Sequence, residues 1–191
     1  MRHRLLVVGA LAAAAVTFAA CGGDDVAPQQ AVAWFGLGQS ASGASCSTIK
    51  TYQIPDGARM TVTGTSGAGD RVKDGGDNIV ECDVRLVRGS TTDYNVSLKF
   101  QGGVVGVGNF IASGTVPAPA TPDTTSTGNM DVVFTTGQFA LQQDRCSVAI
   151  KRLLPGAIWV SNLHCDNLRD PSSPNIACDG LGGVIFENCG H

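Results

Sequence analysis

The chain is poor in the residues that most catalytic and metal sites need. It has 3 histidines, and its acidic residues are nearly all aspartate, with Glu81 and Glu187 as the two glutamates. No segment has the pattern of a serine-hydrolase elbow, an HExxH zinc helix or a phosphate-binding loop. We therefore predict a protein that is not an enzyme and that holds no cofactor and no metal.

Clusters of basic residues and helical periodicity are missing as well. The formal net charge is −3 and lysine and arginine form no stripe, so nucleic acid is not an expected partner. After residue 20 no segment sustains apolar spacing of i, i+3, i+4, which argues against amphipathic helices. The sequence therefore points to strands rather than helices.

Alternation of apolar and polar residues marks several strands. Residues 80–86 (VECDVRL) and 94–100 (YNVSLKF) alternate with a period of two, and the turn residues 88–90 between them predict an antiparallel hairpin. Short strands of this kind recur along the chain. They predict an all-β domain, an antiparallel, jelly-roll-like β-sandwich of nine or ten strands.

The N-terminus has the form of a secretory leader. Arg2 and Arg4 precede an apolar run from Leu5 to Ala20. At about 1.5 Å per residue the run would be about 24 Å long, short of a hydrocarbon core of about 30 Å, so a permanent spanning helix is the weaker interpretation. We predict a signal peptide over residues 1–20.

The leader ends in Phe18-Ala19-Ala20-Cys21, which resembles the lipobox of bacterial lipoproteins, in which two small residues precede a cysteine. The resemblance implies cleavage before Cys21, a diacylglycerol on its sulfur and an acyl chain such as palmitate on the new amino terminus. A plain secreted protein is the alternative. Two or more acyl chains give stable anchoring. In enteric-type lipoproteins an Asp directly after the cysteine retains the protein in the inner membrane, so the resemblance, with Gly22 at this position, implies the outer membrane or cell surface.

The rest of the chain divides into a tether and one domain. Residues 21–31 are expected to form a flexible lipidated tether, and residues 32–191 a single β domain. Lipidation of Cys21 leaves six of the 7 cysteines. An even number in an exported chain predicts three disulfides.

One disulfide is predicted from hairpin geometry. A two-residue turn at Pro155-Gly156 would place Cys146 directly opposite Cys165, on the same side as Val148, Ile150, Trp159 and Leu163. We therefore predict a Cys146–Cys165 bond.

The remaining four cysteines allow three pairings. The preferred set joins Cys178 to Cys189, which closes a short local loop, and therefore Cys46 to Cys82.

Two further features have alternative interpretations. Residues 70–81 (DRVKDGGDNIVE) match an EF-hand calcium loop in part, but Val72 occupies a ligand position, so a plain turn between strands is preferred. Trp34 and Trp159 are expected in the core, with stacking on a sugar as the alternative.

These expectations combine into a hypothesis about function. The chain is expected to be a lipid-anchored cell-envelope protein with a non-catalytic binding or scaffolding domain, whose partner is an envelope protein or a glycan. Its closing segments, GAIWVSNLHC and GVIFENC, are similar to those of small disulfide-bonded bacterial lipoproteins that have no assigned activity. The alternative is a secreted carbohydrate-active hydrolase or accessory subunit, with Glu187 or Glu81 as the acid.

Overall fold

The structure is a computed structural model that describes residues 27–42, 45–46, 50–58, 60, 71–119, 121, 124–154 and 156–190. The predicted signal peptide, Cys21 and most of the predicted tether lie outside these residues. No helix occurs in the described residues, and so none that is long and apolar enough to span a membrane.

Ten strands are formed by the described residues, which confirms the all-β prediction. Their bounds are β1 Gln30–Gln39, β2 Lys50–Ile54, β3 Val72–Lys73, β4 Ile79–Leu86, β5 Tyr94–Val104, β6 Gly108–Pro117, β7 Thr125–Thr136, β8 Ala140–Leu154, β9 Ala157–Asp170 and β10 Ser173–Glu187. Gln30 and Ala31 already pair with β10, so the tether expected over 21–31 ends by residue 29.

The strands form one antiparallel sheet that curls around the core. Its order is β2-β1-β10-β9-β8-β7-β6-β5-β4, and β3 pairs with β1 beside β2. From β4 to β10 each strand pairs with the next in the chain, because short hairpins connect them. The antiparallel class and the strand number agree with the prediction, but the jelly-roll connectivity is not the one observed.

The core lies on the concave side of the sheet and is built around phenylalanines. Phe35 of β1 stacks on Phe110 of β6 with ring centroids 4.6 Å apart, and it also contacts Phe134 of β7 at 5.8 Å. These strands are far apart in the sheet order. Their aromatic contact therefore shows that the two halves of the curled sheet pack face to face, and such pairs add to the burial energy.

The outer edge of β4 is covered by the two ends of the domain. The side chain of Gln29 donates to the Cys82 carbonyl at 3.0 Å and accepts from the Cys82 N–H at 2.9 Å. Gly190 donates to the same carbonyl and accepts from the Val84 N–H. Asp74 accepts from the Val80 N–H at 3.0 Å. These bonds satisfy the N–H groups of Val80, Cys82 and Val84 and the carbonyl of Cys82, which an edge strand would otherwise expose.

Three disulfides tie the sheet together. Cys46 is bonded to Cys178 and Cys82 to Cys189, with Cα atoms 4.9 and 4.7 Å apart. The predicted pairs Cys178–Cys189 and Cys46–Cys82 are therefore wrong. Cys178 lies within β10 and Cys189 lies two residues beyond its end, and the nine residue steps of strand from Cys178 to Glu187 already span about 30 Å. No disulfide spans that distance.

The third disulfide joins Cys146 to Cys165, as the hairpin argument expected, with Cα atoms 4.6 Å apart. The hairpin register is nevertheless irregular. Leu154 faces Ala157 in the register of a two-residue turn, although Pro155 itself lies outside the described residues.

Between the turn and the disulfide, the pairing of β8 with β9 shifts by one residue and then goes back to the original register. Lys151 faces Trp159 in the slipped part, and the register is restored between Ala149 and Ser147. Asn162 has a φ of 51° at this second irregularity, where β9 accommodates one extra residue. Because of the slip, the faces of β9 differ from those a regular hairpin would give.

Candidate functional site

Among the described residues, β2 is the edge strand of the sheet that no other segment is seen to cover. This strand ends the sheet order, so in the described part of the chain no strand lies along its second edge. β5 approaches it from the other side of the curled sheet. A Cβ at Gly102 would be 2.8 Å from Cγ2 of Ile54, so the two strands are in close contact there without being paired.

A cleft of about 340 Å³ opens between β2 and the turn that joins β5 to β6. We call it the edge cleft, and it is lined by Lys50, Thr51, Tyr52, Gln53, Asp56, Val104, Val105 and Val107. The β2 side is polar and the turn side is apolar. Val105 is 83% exposed at the tip of the turn. The cleft therefore combines hydrogen-bonding groups with an exposed apolar rim.

Tyr52 anchors the wall of the edge cleft. Its ring packs 5.2 Å from that of Phe134 in the core, and the ammonium of Lys50 lies 5.4 Å from its ring centroid. Burial raises the pKa of the Tyr52 hydroxyl, so the group stays protonated at neutral pH. Lys50 thus places a positive charge at the mouth of the cleft, on a ring that the core holds in place.

The two predicted candidates for an acid residue lie in different environments. Glu187 is buried and forms an ion pair with Arg71 at 3.4 Å, and its other oxygen accepts from the side chain of Gln30 at 2.7 Å. Glu81 is exposed on β4, where Lys99 of β5 stands directly opposite. The structure does not bring these two glutamates together.

The tryptophans are on the outer face of the sheet, contrary to the expectation that they lie in the core. Trp159 is 37% exposed while its neighbour Val160 is fully buried, because the β8–β9 slip reverses the faces of this part of β9. Trp34 is half-buried between the core residues Ala33 and Phe35. Its indole nitrogen lies 3.0 Å from where a Cβ of Gly183 would stand.

The segment that resembled a calcium loop forms a tight hairpin turn in its described part. Gly75 and Asn78 form a bridge with two mutual backbone hydrogen bonds of 3.2 Å. Asp74 is bonded to the Val80 N–H, and Glu81 lies further along β4. Asp70 lies outside the described residues. This arrangement is the plain turn between strands that was preferred.

The remaining histidine of the described residues is at the surface, and the predicted lipidation site lies outside the described residues. His164 is exposed on β9 and lies 3.2 Å from Asp166. Cys21 and its lipidation cannot be placed, since residues 1–26 are not described. In the described part of the chain, no three histidine, cysteine, aspartate or glutamate residues form a group suited to a metal ion.

Comparison with known proteins adds no relative: no protein-family model, no curated protein and no solved structure matches this chain.

The sequence contained only a weak signal for the edge cleft. β2 is short and alternates, as a strand at an edge often does, but its partner across the cleft comes from a turn more than fifty residues later in the chain. Only the curling of the sheet brings the two together.

Proposed function

We propose that the protein is a lipid-anchored cell-envelope protein whose β domain binds a partner without catalysing a reaction. The lipobox-like sequence before Cys21 supports the anchor, and the three disulfides are consistent with an extracytoplasmic location. We further propose the outer membrane or the cell surface as its site.

The observation that carries the binding role is the contrast between the two sheet edges. The edge of β4 is covered by Gln29, Asp74 and Gly190, whereas β2 has no strand beside it in the described residues and borders the edge cleft. An uncovered edge accepts an extended peptide, which adds as a further strand while nearby pockets receive its side chains. We therefore favour an envelope protein over a glycan as the partner.

A photo-cross-linking amino acid at Val105, on the rim of the edge cleft, tests the binding role in living cells. Leu181 of β10 serves as the matched control, because it is also an exposed aliphatic residue (52%) but does not line the cleft. We expect a discrete protein adduct from position 105 that is absent from position 181. Equal adducts at both positions, or an adduct that contains sugar and no peptide, would contradict the proposal.

Replacement of Cys21 by serine tests the anchor separately. The lipidated protein should sediment with membranes after a carbonate wash, and Cys21→Ser should remove it from that fraction because its acyl chains are lost. A Cys21→Ser protein processed to its mature length that still resists the wash would show that lipid is not the attachment.

A further inference from the structure

We propose that the tip of the β4–β5 hairpin rests on the lipid surface to which the protein is anchored. This inference depends on the proposed lipidation of Cys21. We call the segment from Arg85 to Tyr94 the hairpin tip.

Apolar side chains are exposed at the hairpin tip. Leu86 and Tyr94 face each other across the last pair of the β4–β5 ladder and are 50% and 42% exposed. They follow the buried positions Cys82 and Val96 on the same sides of their strands. They therefore continue the core side of the sheet past its end. A tyrosine there has the apolar ring and polar hydroxyl that suit a membrane–water interface.

The loop between these residues is held in one shape. The Val87 N–H donates to the Asp93 carbonyl at 2.8 Å, and the Ser90 N–H donates to the Val87 carbonyl at 2.9 Å. The Ser90 hydroxyl accepts from the N–H groups of Thr92 and Asp93. A preformed loop loses little conformational entropy when it docks on a surface.

Groups that suit lipid phosphates lie at the same end of the hairpin, mostly on the outer face of the sheet. A depression of about 270 Å³ is lined by Arg85, Leu86, Val87, Arg88, Asn95, Ser97 and Thr115. Arg85 is paired with Asp83 at 3.6 Å, and both are exposed, while Arg88 has no ion-pair partner in the described residues. Arginine, amide and hydroxyl groups are the donors that bind phosphate oxygens.

The position of the tether brings the hairpin tip to the membrane. Gln29 is bonded to Cys82, and Leu86 lies four residues further along β4, about 13 Å away. Cys21 precedes Gln29 by eight residues, which span at most about 28 Å. The segment that follows β10 runs parallel to β4 at Gly190, so β10 also runs toward the tip. β1 is antiparallel to β10 and therefore begins at the end of the sheet that is nearer the tip.

The same orientation carries the edge cleft away from the membrane. β5 runs for 11 residues from Tyr94 at the hairpin tip to Val104 in the edge cleft, a length of about 33 Å. A domain that stands on the tip therefore presents the cleft to the space outside the membrane.

Quenching of an added tryptophan by brominated lipid tests the contact. The full lipidated protein is reconstituted into vesicles of phosphatidylglycerol and phosphatidylethanolamine with brominated acyl chains, and flotation of the vesicles confirms retention by the anchor. Tyr94→Trp should lose about half of its added emission, because an interfacial side chain sits within about 5–10 Å of the acyl boundary. Val105→Trp, the control at the far end, should lose none, after subtraction of the wild-type signal.

The possible outcomes separate the tip from the anchor. Protein that floats with the vesicles but shows no quenching of Tyr94→Trp, or equal quenching at both positions, overturns the tip contact and leaves the anchor standing. Protein that does not float refutes both. Arg88→Glu in the Tyr94→Trp background should reduce the quenching about twofold or more on these anionic vesicles and by less on phosphatidylcholine, which has the phosphate but no net charge. No loss on the anionic vesicles would refute the role of the arginine.

Discussion

Replacement of Glu187 by glutamine should destabilise the domain strongly, because it breaks a buried ion pair with Arg71. The side chains of Arg71 and Glu187 are 1% and 5% exposed, and their charged atoms are 3.4 Å apart. At an effective dielectric constant of about 20 this separation corresponds to an attraction of about 5 kcal/mol. Glutamine keeps the shape of glutamate and regains part of the desolvation energy. We therefore expect a net loss of about 3 kcal/mol.

Urea unfolding followed by circular dichroism measures this loss, with a double-mutant cycle to assign it. The isosteric control Glu81→Gln, at an exposed position on β4, should change the free energy of unfolding by less than about 0.5 kcal/mol. Arg71→Met combined with Glu187→Gln should be more stable than Glu187→Gln alone, because the buried guanidinium charge is then removed together with the carboxylate. A Glu187→Gln protein as stable as the Glu81→Gln control, or a double variant no better than the single one, would refute the reasoning.

Three further perturbations test other parts of the fold. Hydrogen bonds in the β9–β10 turn hold the pKa of Asp170 below its ordinary value of 3.8, so its contribution to stability is present above that pH and is lost as the pH falls through the lower folded pKa. Asp170→Asn should flatten the acid limb of a plot of stability against pH, and an unchanged slope would contradict this. Gly180→Ala should cost about 1–3 kcal/mol in thermal unfolding, because a Cβ there would be 2.5 Å from a core leucine, whereas Gly38→Ala, with no atom nearer than 4.0 Å, should cost less. Replacement of Cys146 and Cys165 by alanine should cost about 3 kcal/mol in denaturant unfolding, as expected for a bond that closes 19 residues, and a loss below 1 kcal/mol would argue against that account.

The class of the fold was predictable because alternation is a local property. Residues 80–86 and 94–100 form β4 and β5 with the expected hairpin between them. The bond between Cys146 and Cys165 could be predicted for the same reason, since both cysteines belong to one hairpin. The exposure of Trp159 could not be predicted, because the first four residues of β9 are all apolar and their pattern does not reveal a one-residue slip in the ladder.

The long-range features depended on how the sheet closes. Cys82 meets Cys189 because the chain ends pack along the outer edge of β4, and Cys46 meets Cys178 because Ser45 bridges to Ile176 at the start of β10. Neither contact follows from spacing along the chain. The edge cleft has the same origin, which is why its residues were not among the predicted sites.

The order of the two long disulfides has a consequence for maturation after export. If the chain is exported from its N-terminus, as proposed above, Cys46 and Cys82 would emerge well before their partners Cys178 and Cys189. An oxidant that acts on cysteines as they emerge would therefore join Cys46 to Cys82, and thiol–disulfide exchange would then be needed to reach the native bonds. We expect cells that lack an envelope disulfide isomerase to accumulate the Cys46–Cys82 species, which non-reducing peptide mapping would detect. Native bonds alone in such cells would mean that the chain folds before it is oxidised.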